Sequence, residues 1–252
     1  MRPEIDVSDD AVLGGRLRLL QPRSGHRFGH DAILLAAAVR AGPGERAVEL
    51  GSGVGAAGLA LAARIPGLSV SLVEIDASLA EFARENARRN GLADRVIAHC
   101  LDATAPAVGF SEAGLAAASV DHVLSNPPFN DPARHSASPD PARRSAHIGA
   151  DLRPWVATAA RLLRPQGTLT LIYRADGLAD VLSALADDFG SIAVVPIFPK
   201  PNAGAIRIVV RAIKGSGGAT TVHSGLLLNE QGRPTTAAEA ILREGAALSF
   251  AA

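Results

Sequence analysis

The chain has 252 residues, 48% of them hydrophobic and 20% charged, with 25 Lys and Arg against 25 Asp and Glu. These proportions exclude a disordered or fibrous chain, and the zero formal charge excludes a grip on nucleic acid by the whole surface, though not by local clusters. A single cysteine, Cys100, excludes an intramolecular disulfide and a Cys-rich zinc site, and is expected to be a small buried apolar residue.

The first twelve residues, MRPEIDVSDDAV, carry acids where a signal peptide needs a basic and then an apolar run, so a cytoplasmic protein with no membrane span is expected. Length and composition predict one domain over 1–252. It divides into an N-terminal extension over 1–45, a core over 46–214 and a C-terminal extension over 215–252.

In chain order, a hairpin is predicted over Ala11 to Leu20 and a helix over Asp31 to Val39. From Ala47 onward short apolar runs alternate with amphipathic stretches of helical length, the pattern of βαβ units. Strands are predicted at Ala47–Leu50, Val70–Val73, Arg95–His99 and Val120–Leu124, with helices at Ala56–Arg64 and Ala77–Asn90 between the first three. Residues 130–150 have no periodicity, contain three prolines and form a loop far longer than ordinary connections. Beyond it a helix (Trp155–Leu163), a strand (Thr168–Tyr173), a helix (Leu178–Asp187) and two strands (Ile192–Ile197, Ile206–Ala212) follow. No helix separates those last two, so they should pair as a hairpin and give one antiparallel edge. Leu226–Leu228 and Ala237–Arg243 read as a short strand and a helix packed back on the body. The fold class is therefore α/β, a doubly wound, mostly parallel seven-stranded sheet with an antiparallel last strand.

Glu49-Leu50-Gly51-Ser52-Gly53-Val54-Gly55 follows a strand and opens a helix, where glycines let backbone amides approach a ligand. Glu74-Ile75 ends the second strand, and Asp102-Ala103 lies just past the third, so both acids share a crevice with the glycine turn. Glu74 is placed to accept from the two hydroxyls of a ribose and Asp102 from an adenine amine. The stretch Ala47 to Ala63 has no Lys or Arg, which suits a cationic or zwitterionic nucleoside, S-adenosylmethionine, better than a pyrophosphate.

Asn126-Pro127-Pro128-Phe129 ends the fourth strand abruptly, since proline neither donates to a ladder nor lets the preceding residue turn helical. A conjugated amine is a poor nucleophile because its lone pair is delocalised. The Asn126 side-chain oxygen and the Pro127 carbonyl can hold its two hydrogens, Pro128 stiffens that carbonyl, and Phe129 can stack on the acceptor plane. The tetrapeptide resembles that of Rossmann-like enzymes that methylate adenine N6, guanine N2 or glutamine N5.

The resemblance reaches further toward the bacterial methyltransferases that modify adenine N6 beside the anticodon of a valine tRNA. It rests on Gln21-Pro22-Arg23-Ser24-Gly25-His26-Arg27-Phe28-Gly29-His30-Asp31-Ala32-Ile33-Leu34-Leu35, the glycine turn, the ribose acid, the tetrapeptide and Ala142-Arg143-Arg144-Ser145-Ala146-His147. Many of those relatives carry tyrosine where this chain has Phe129. The resemblance implies S-adenosylmethionine as cofactor, held by Gly29, Asp31, Glu49, Gly51, Ser52, Gly53, Gly55, Glu74, Ile75, Asp102, Ala103 and Asn126. It implies a tRNA substrate and catalysis by Asn126, Pro127, Pro128 and Phe129, while the histidines show no paired spacing for a metal and none is expected. From Gly14 to His30 there are four arginines and no acids, and Arg23, Arg27, Arg134, Arg143 and Arg144 are the candidate RNA contacts. Competing readings are a guanine-N2 rRNA enzyme, a release-factor glutamine-N5 enzyme, and a cofactor- or RNA-binding partner without catalysis.

Overall fold

The computed structural model describes residues 6–25, 27–128 and 151–250. An N-terminal hairpin of β1 (Val7–Val12) and β2 (Leu17–Pro22) turns through Leu13–Gly15 and leads to helix α1 (His30–Ala38). The central units follow as β3 (Arg46–Leu50), α2 (Ala56–Arg64), β4 (Ser69–Glu74), α3 (Ala77–Arg89), β5 (Val96–Cys100), α4 (Ala107–Glu112) and β6 (Val120–Ser125). Then come α5 (Arg153–Leu162), β7 (Leu163–Arg174), α6 (Leu178–Leu185), β8 (Phe189–Phe198) and β9 (Arg207–Lys214). The C-terminal stretch holds four two-residue strands, β10 (Thr221–Val222), β11 (Leu226–Leu227), β12 (Asn229–Glu230) and β13 (Arg233–Pro234), before α7 (Thr236–Glu244).

Local chemistry sets the helix ends. Asp76 Oδ1 accepts from the amides of Ser78 (2.8 Å) and Leu79 (3.1 Å) to start α3, and Thr235 Oγ1 accepts from Ala238 N (3.1 Å) to start α7. Gly245, at φ +65°, closes α7 in the left-handed conformation.

The main sheet runs β5-β4-β3-β6-β7-β9-β8, with β10 and β11 both added in parallel to the outer side of β8. The expected doubly wound, mostly parallel sheet is present. The antiparallel strand is not at its edge, however, because β9 folds back between β7 and β8 and is antiparallel to both. The order reverses between β3 and β6, which lie side by side and in parallel, so a crevice opens beyond their carboxyl ends.

The sheet separates two apolar layers. One holds α1, α2 and α3, and the other α4, α5 and α6. Every residue of α1 from Ala32 to Ala38 is buried, as befits a helix that is apolar all round and packed between the sheet, α2 and α7. Cys100, expected to be buried, is exposed, since it ends the edge strand β5. Helix α4 and the four short C-terminal strands, apart from the Leu226 pair, lack enough periodicity to be read from sequence.

Candidate active site

The glycine turn is fastened to the end of β4. The amides of Gly51 and Ser52 donate to Val73 O at 2.9 and 3.0 Å, and Gly55 N donates to Ser52 O at 2.8 Å. Gly51 has φ +71°, and a Cβ there would stand 2.9 Å from Cη2 and Cζ3 of Trp155, so glycine is required for both reasons. Gly55, at φ +85°, lies against Leu72 and Leu59 behind the turn.

Glu74 is nearly buried at the end of β4. Its Oε2 accepts from Gly53 N (2.8 Å) and its Oε1 from Asp76 N (2.9 Å), so the carboxylate braces the turn while each oxygen keeps a second lone pair. Asp102 is exposed, and its Oδ1 accepts from the amide (2.7 Å) and hydroxyl (2.8 Å) of Thr104. At the end of β6, Ser125 Oγ donates to Leu50 O (2.9 Å), which ties β6 to β3 where the strand order reverses. Next to it, the Asn126 Oδ1 atom is fully occluded and takes no hydrogen bond from any described residue. A buried acceptor without a donor is costly, and the large majority of buried polar atoms in folded proteins find a partner.

These groups meet around one cavity of about 280 Å³. Of the residues expected at the cofactor, Gly51, Gly53, Glu74, Ile75, Asp102, Ala103 and Asn126 line it, as does Pro128 of the tetrapeptide. Pro127 is buried beside them. Ser52 is buried with its amide committed to Val73, and its Oγ has no partner among the described residues.

Glu49 stands apart from the cavity. It is 3% exposed, and its Oε2 accepts from Gly58 N (2.7 Å) on α2. Burial pushes its carboxyl up to about 8, with the Glu74 charge adding to the rise and the Gly58 amide opposing it. Gly29 and Asp31 are elsewhere too. Asp31 pairs with Arg207 at 2.7 Å, and Gly29 lines a different cavity.

The arginines expected on RNA are partly committed within the chain. Arg23 pairs with Asp6 and Arg27 with Asp10, each at 3.1 Å, because the hairpin lays Asp6, just before β1, and Asp10, within it, beside the basic stretch that follows β2. Phe129, Arg134, Arg143 and Arg144 lie outside the described residues. Among the described residues there is no cluster of His, Cys, Asp or Glu able to hold a metal ion, and no helix long and apolar enough to cross a membrane.

Three cavity residues escaped the sequence reading: Val73, Leu79 and Trp155. Trp155 offered a signal, being the chain's one tryptophan, placed just after the long aperiodic stretch that follows the tetrapeptide.

A family model described as the methyltransferase small domain matches residues 24–198. The chain is 29% identical over 165 residues to a release factor glutamine methyltransferase of Chlorobaculum tepidum, covering 62% of this chain and 55% of that one. It is 33% identical over 161 residues to a tRNA1(Val) (adenine(37)-N6)-methyltransferase of Porphyromonas gingivalis, covering 62% of this chain and 61% of that one. The chain thus spans only somewhat more than half the length of these two curated relatives. A crystal structure of a predicted O-methyltransferase from Agrobacterium tumefaciens superposes with a TM-score of 0.74 at 31% identity, over 86% of this chain and 98% of that one. With a glycine turn, two strand-end acids and an Asn-Pro-Pro strand end gathered at the switch point of such a sheet, the chain belongs to the methyltransferase small domain family.

Proposed function

We propose that the chain is an S-adenosylmethionine-dependent N-methyltransferase whose acceptor is an exocyclic amine, adenine N6 in tRNA near the anticodon. The observation that carries this reading is the occluded Asn126 Oδ1, an acceptor without a donor in the wall of a cavity that also holds the glycine turn, Glu74 and Asp102.

The residues present fit the cofactor. Glu74 keeps a lone pair on each oxygen for a ribose hydroxyl, while Ile75, Leu79 and Ala103 offer apolar faces to a flat ring and Asp102 an acceptor at its rim. The cavity approaches the lower end of the range for small-molecule sites, about 300 Å³. When bound, S-adenosylmethionine supplies a methyl group on a positively charged sulfur. The protein's part is alignment. Asn126 Oδ1 and the Pro127 carbonyl take the two amine hydrogens, turning the nitrogen lone pair toward the cofactor and polarising the N–H bonds. Asn126, Pro127 and Pro128 present acceptors and no base, which suits an amine that sheds its proton after transfer better than a hydroxyl that must lose it first. Pro128 and Trp155 wall the cavity beside Asn126.

The curated relatives named above act, by their names, on a tRNA adenine and on a release-factor glutamine. Both acceptors are planar amines that fit the same pair of carbonyl oxygens. Nucleoside mass spectrometry of tRNA and rRNA, together with peptide mass spectrometry of a release factor, each incubated with the purified protein and S-adenosylmethionine, decides between them. A gain of N6-methyladenosine in tRNA alone supports the reading. A gain of N2-methylguanosine in rRNA, or methylation only of a release factor, overturns the substrate, and no transfer to any of these overturns the activity.

A further inference from the structure

A second cavity, about 790 Å³, lies on the hairpin side of the molecule. It is walled by Asp10–Gly15 of the hairpin, by the stretch Phe28 to Ile33 that opens α1, and by Ala238, Leu242 and Arg243 of α7. All three walls come from segments outside the central βαβ units.

Two sets of contacts place this cavity on the same edge of the sheet as Asn126. Helix α1 begins at the carboxyl edge, because Asp31 in its first turn pairs with Arg207, and Arg207 stands in register with Arg174, the last residue of β7. The hairpin is also tied to the glycine turn through Asn86 of α3. Asn86 Nδ2 donates to Leu20 O (3.0 Å) and to Val54 O (3.1 Å), and its Oδ1 accepts from Leu20 N (2.7 Å).

The wall is built, not incidental. Gln21 is 2% exposed, donates from Nε2 to Asp10 Oδ2 (2.7 Å) and accepts at Oε1 from Phe28 N (3.1 Å). Asp10 Oδ2 also accepts from Ser8 Oγ (2.6 Å) and Arg27 Nη2 (3.1 Å). That network holds the half-buried Phe28 in place over an apolar floor that includes Leu13, Ile33 and Leu242. Charges in the lining cancel, with Arg27 and Arg243 against Asp10 and Glu239. Arg27 further spends its Nη1 on Ser8 Oγ and Pro22 O. The occupant this chemistry selects is flat, neutral and able to hydrogen-bond at its rim, and a phosphate is not.

We propose that this cavity is a second nucleobase subsite, which takes an unpaired base flanking the methylated one, stacked on Phe28. The proposal rests on the reading of the substrate as RNA. Unpaired loop bases are recognised in this manner, splayed out onto aromatic faces and hydrogen-bonded at their edges.

The test uses Gly29, which lines the cavity at a backbone conformation any residue adopts and where a Cβ meets nothing within 4 Å. Gly29→Trp fills the space, and Phe28→Ala removes the stacking face. With a tRNA anticodon stem-loop as substrate, KM should rise about 10-fold in both variants. In Phe28→Ala, kcat and the dissociation constant of S-adenosylmethionine should stay within about twofold, since Phe28 does not line the catalytic cavity. An unchanged KM in both variants of an enzyme active on the stem-loop overturns the subsite and leaves the function standing. A wild type inert on every RNA overturns both. Should Gly29→Trp fail to fold, photocross-linking of the wild type to a 4-thiouridine-substituted stem-loop makes the same decision: adducts on peptides 27–33 or 238–243 support the subsite, and adducts confined elsewhere overturn it.

Discussion

The two ends of the sheet satisfy their polar groups in opposite ways. At the amino end, His122 Nε2 meets Glu45 Oε2 (2.8 Å), His122 Nδ1 meets Thr168 Oγ1 (2.7 Å), and Gly42 N donates to the same Glu45 oxygen (2.6 Å). Asp121 beside them accepts from Arg164 and from Arg46 N. At the carboxyl end, Asn126 Oδ1 and Ser52 Oγ are occluded and find no donor among the described residues. Strands of the same sheet, β3, β6 and β7, run through both ends. Those amino-end groups pair with one another, whereas Asn126 Oδ1 and Ser52 Oγ keep unmet hydrogen-bonding capacity, as groups that await a ligand do.

Substitutions at each end should therefore separate function from stability. The largest effect is expected for Asn126→Ala, which should lower methyl transfer at least about 100-fold, roughly 3 kcal/mol of transition-state alignment, while S-adenosylmethionine affinity stays within about twofold. Equal transfer rates in wild type and variant, measured with tritiated cofactor, would remove Asn126 from the site. The converse is His122→Leu, which strands Glu45 and Thr168 and should cost about 1–3 kcal/mol in denaturant unfolding, with kcat unaltered. A fall in kcat without loss of stability would show that the two ends are not independent.

Glu74→Ala tests the border between the two behaviours, because its carboxylate both braces Gly53 N and offers lone pairs to the cavity. Cofactor affinity should weaken by about 1–2 kcal/mol in calorimetric titration, and an unchanged dissociation constant would mean that the ribose is held elsewhere. The smallest effect per unit change of condition concerns Glu49. Its folded carboxyl releases its proton near 8, while the ordinary value, 4.5, applies to the unfolded chain. Between those limits the folded state binds more protons, so the stability this group contributes is present below 4.5 and is lost as pH rises toward 8. Glu49→Gln, which keeps an acceptor for Gly58 N, should flatten that decline by at most about 1.4 kcal/mol per pH unit. A wild-type stability that does not fall over this window would show that Glu49 is ionised in the fold.

What sequence reveals of this site follows the range of the interactions involved. The glycine turn, Glu74, Asp102 and the Asn126-Pro127-Pro128 strand end are local patterns, with each residue a few positions from the strand that places it, and Gly51, Gly53, Glu74, Asp102, Asn126 and Pro128 line the cavity. Glu49 belongs to the same pattern but points the other way. Along β3, Val48 and Leu50 enter the layer of α5 and α6 while Ala47 enters the layer of α2, so alternation turns Glu49 toward Gly58. The arginines of the hairpin are legible as a basic run, yet their partners Asp6 and Asp10 become visible only when β1 pairs with β2. Trp155 reaches Gly51 across more than a hundred residues, a contact no spacing rule encodes. The place of β9 inside the sheet depends likewise on tertiary pairing, since a hairpin alone does not say which side of β8 the returning strand will take.

Helix α1 has a consequence for how the protein is made. Its apolar surface is finished only when α7 packs on it and Leu248 N donates to Ala37 O at 2.8 Å. During synthesis, α1 leaves the ribosome some two hundred residues before those partners, carrying seven consecutive apolar residues, Ala32 to Ala38, whose α7-facing side has no cover until they arrive. Burial of α1 is therefore completed last, by a segment made some two hundred residues after it, and until then part of an apolar helix stays exposed.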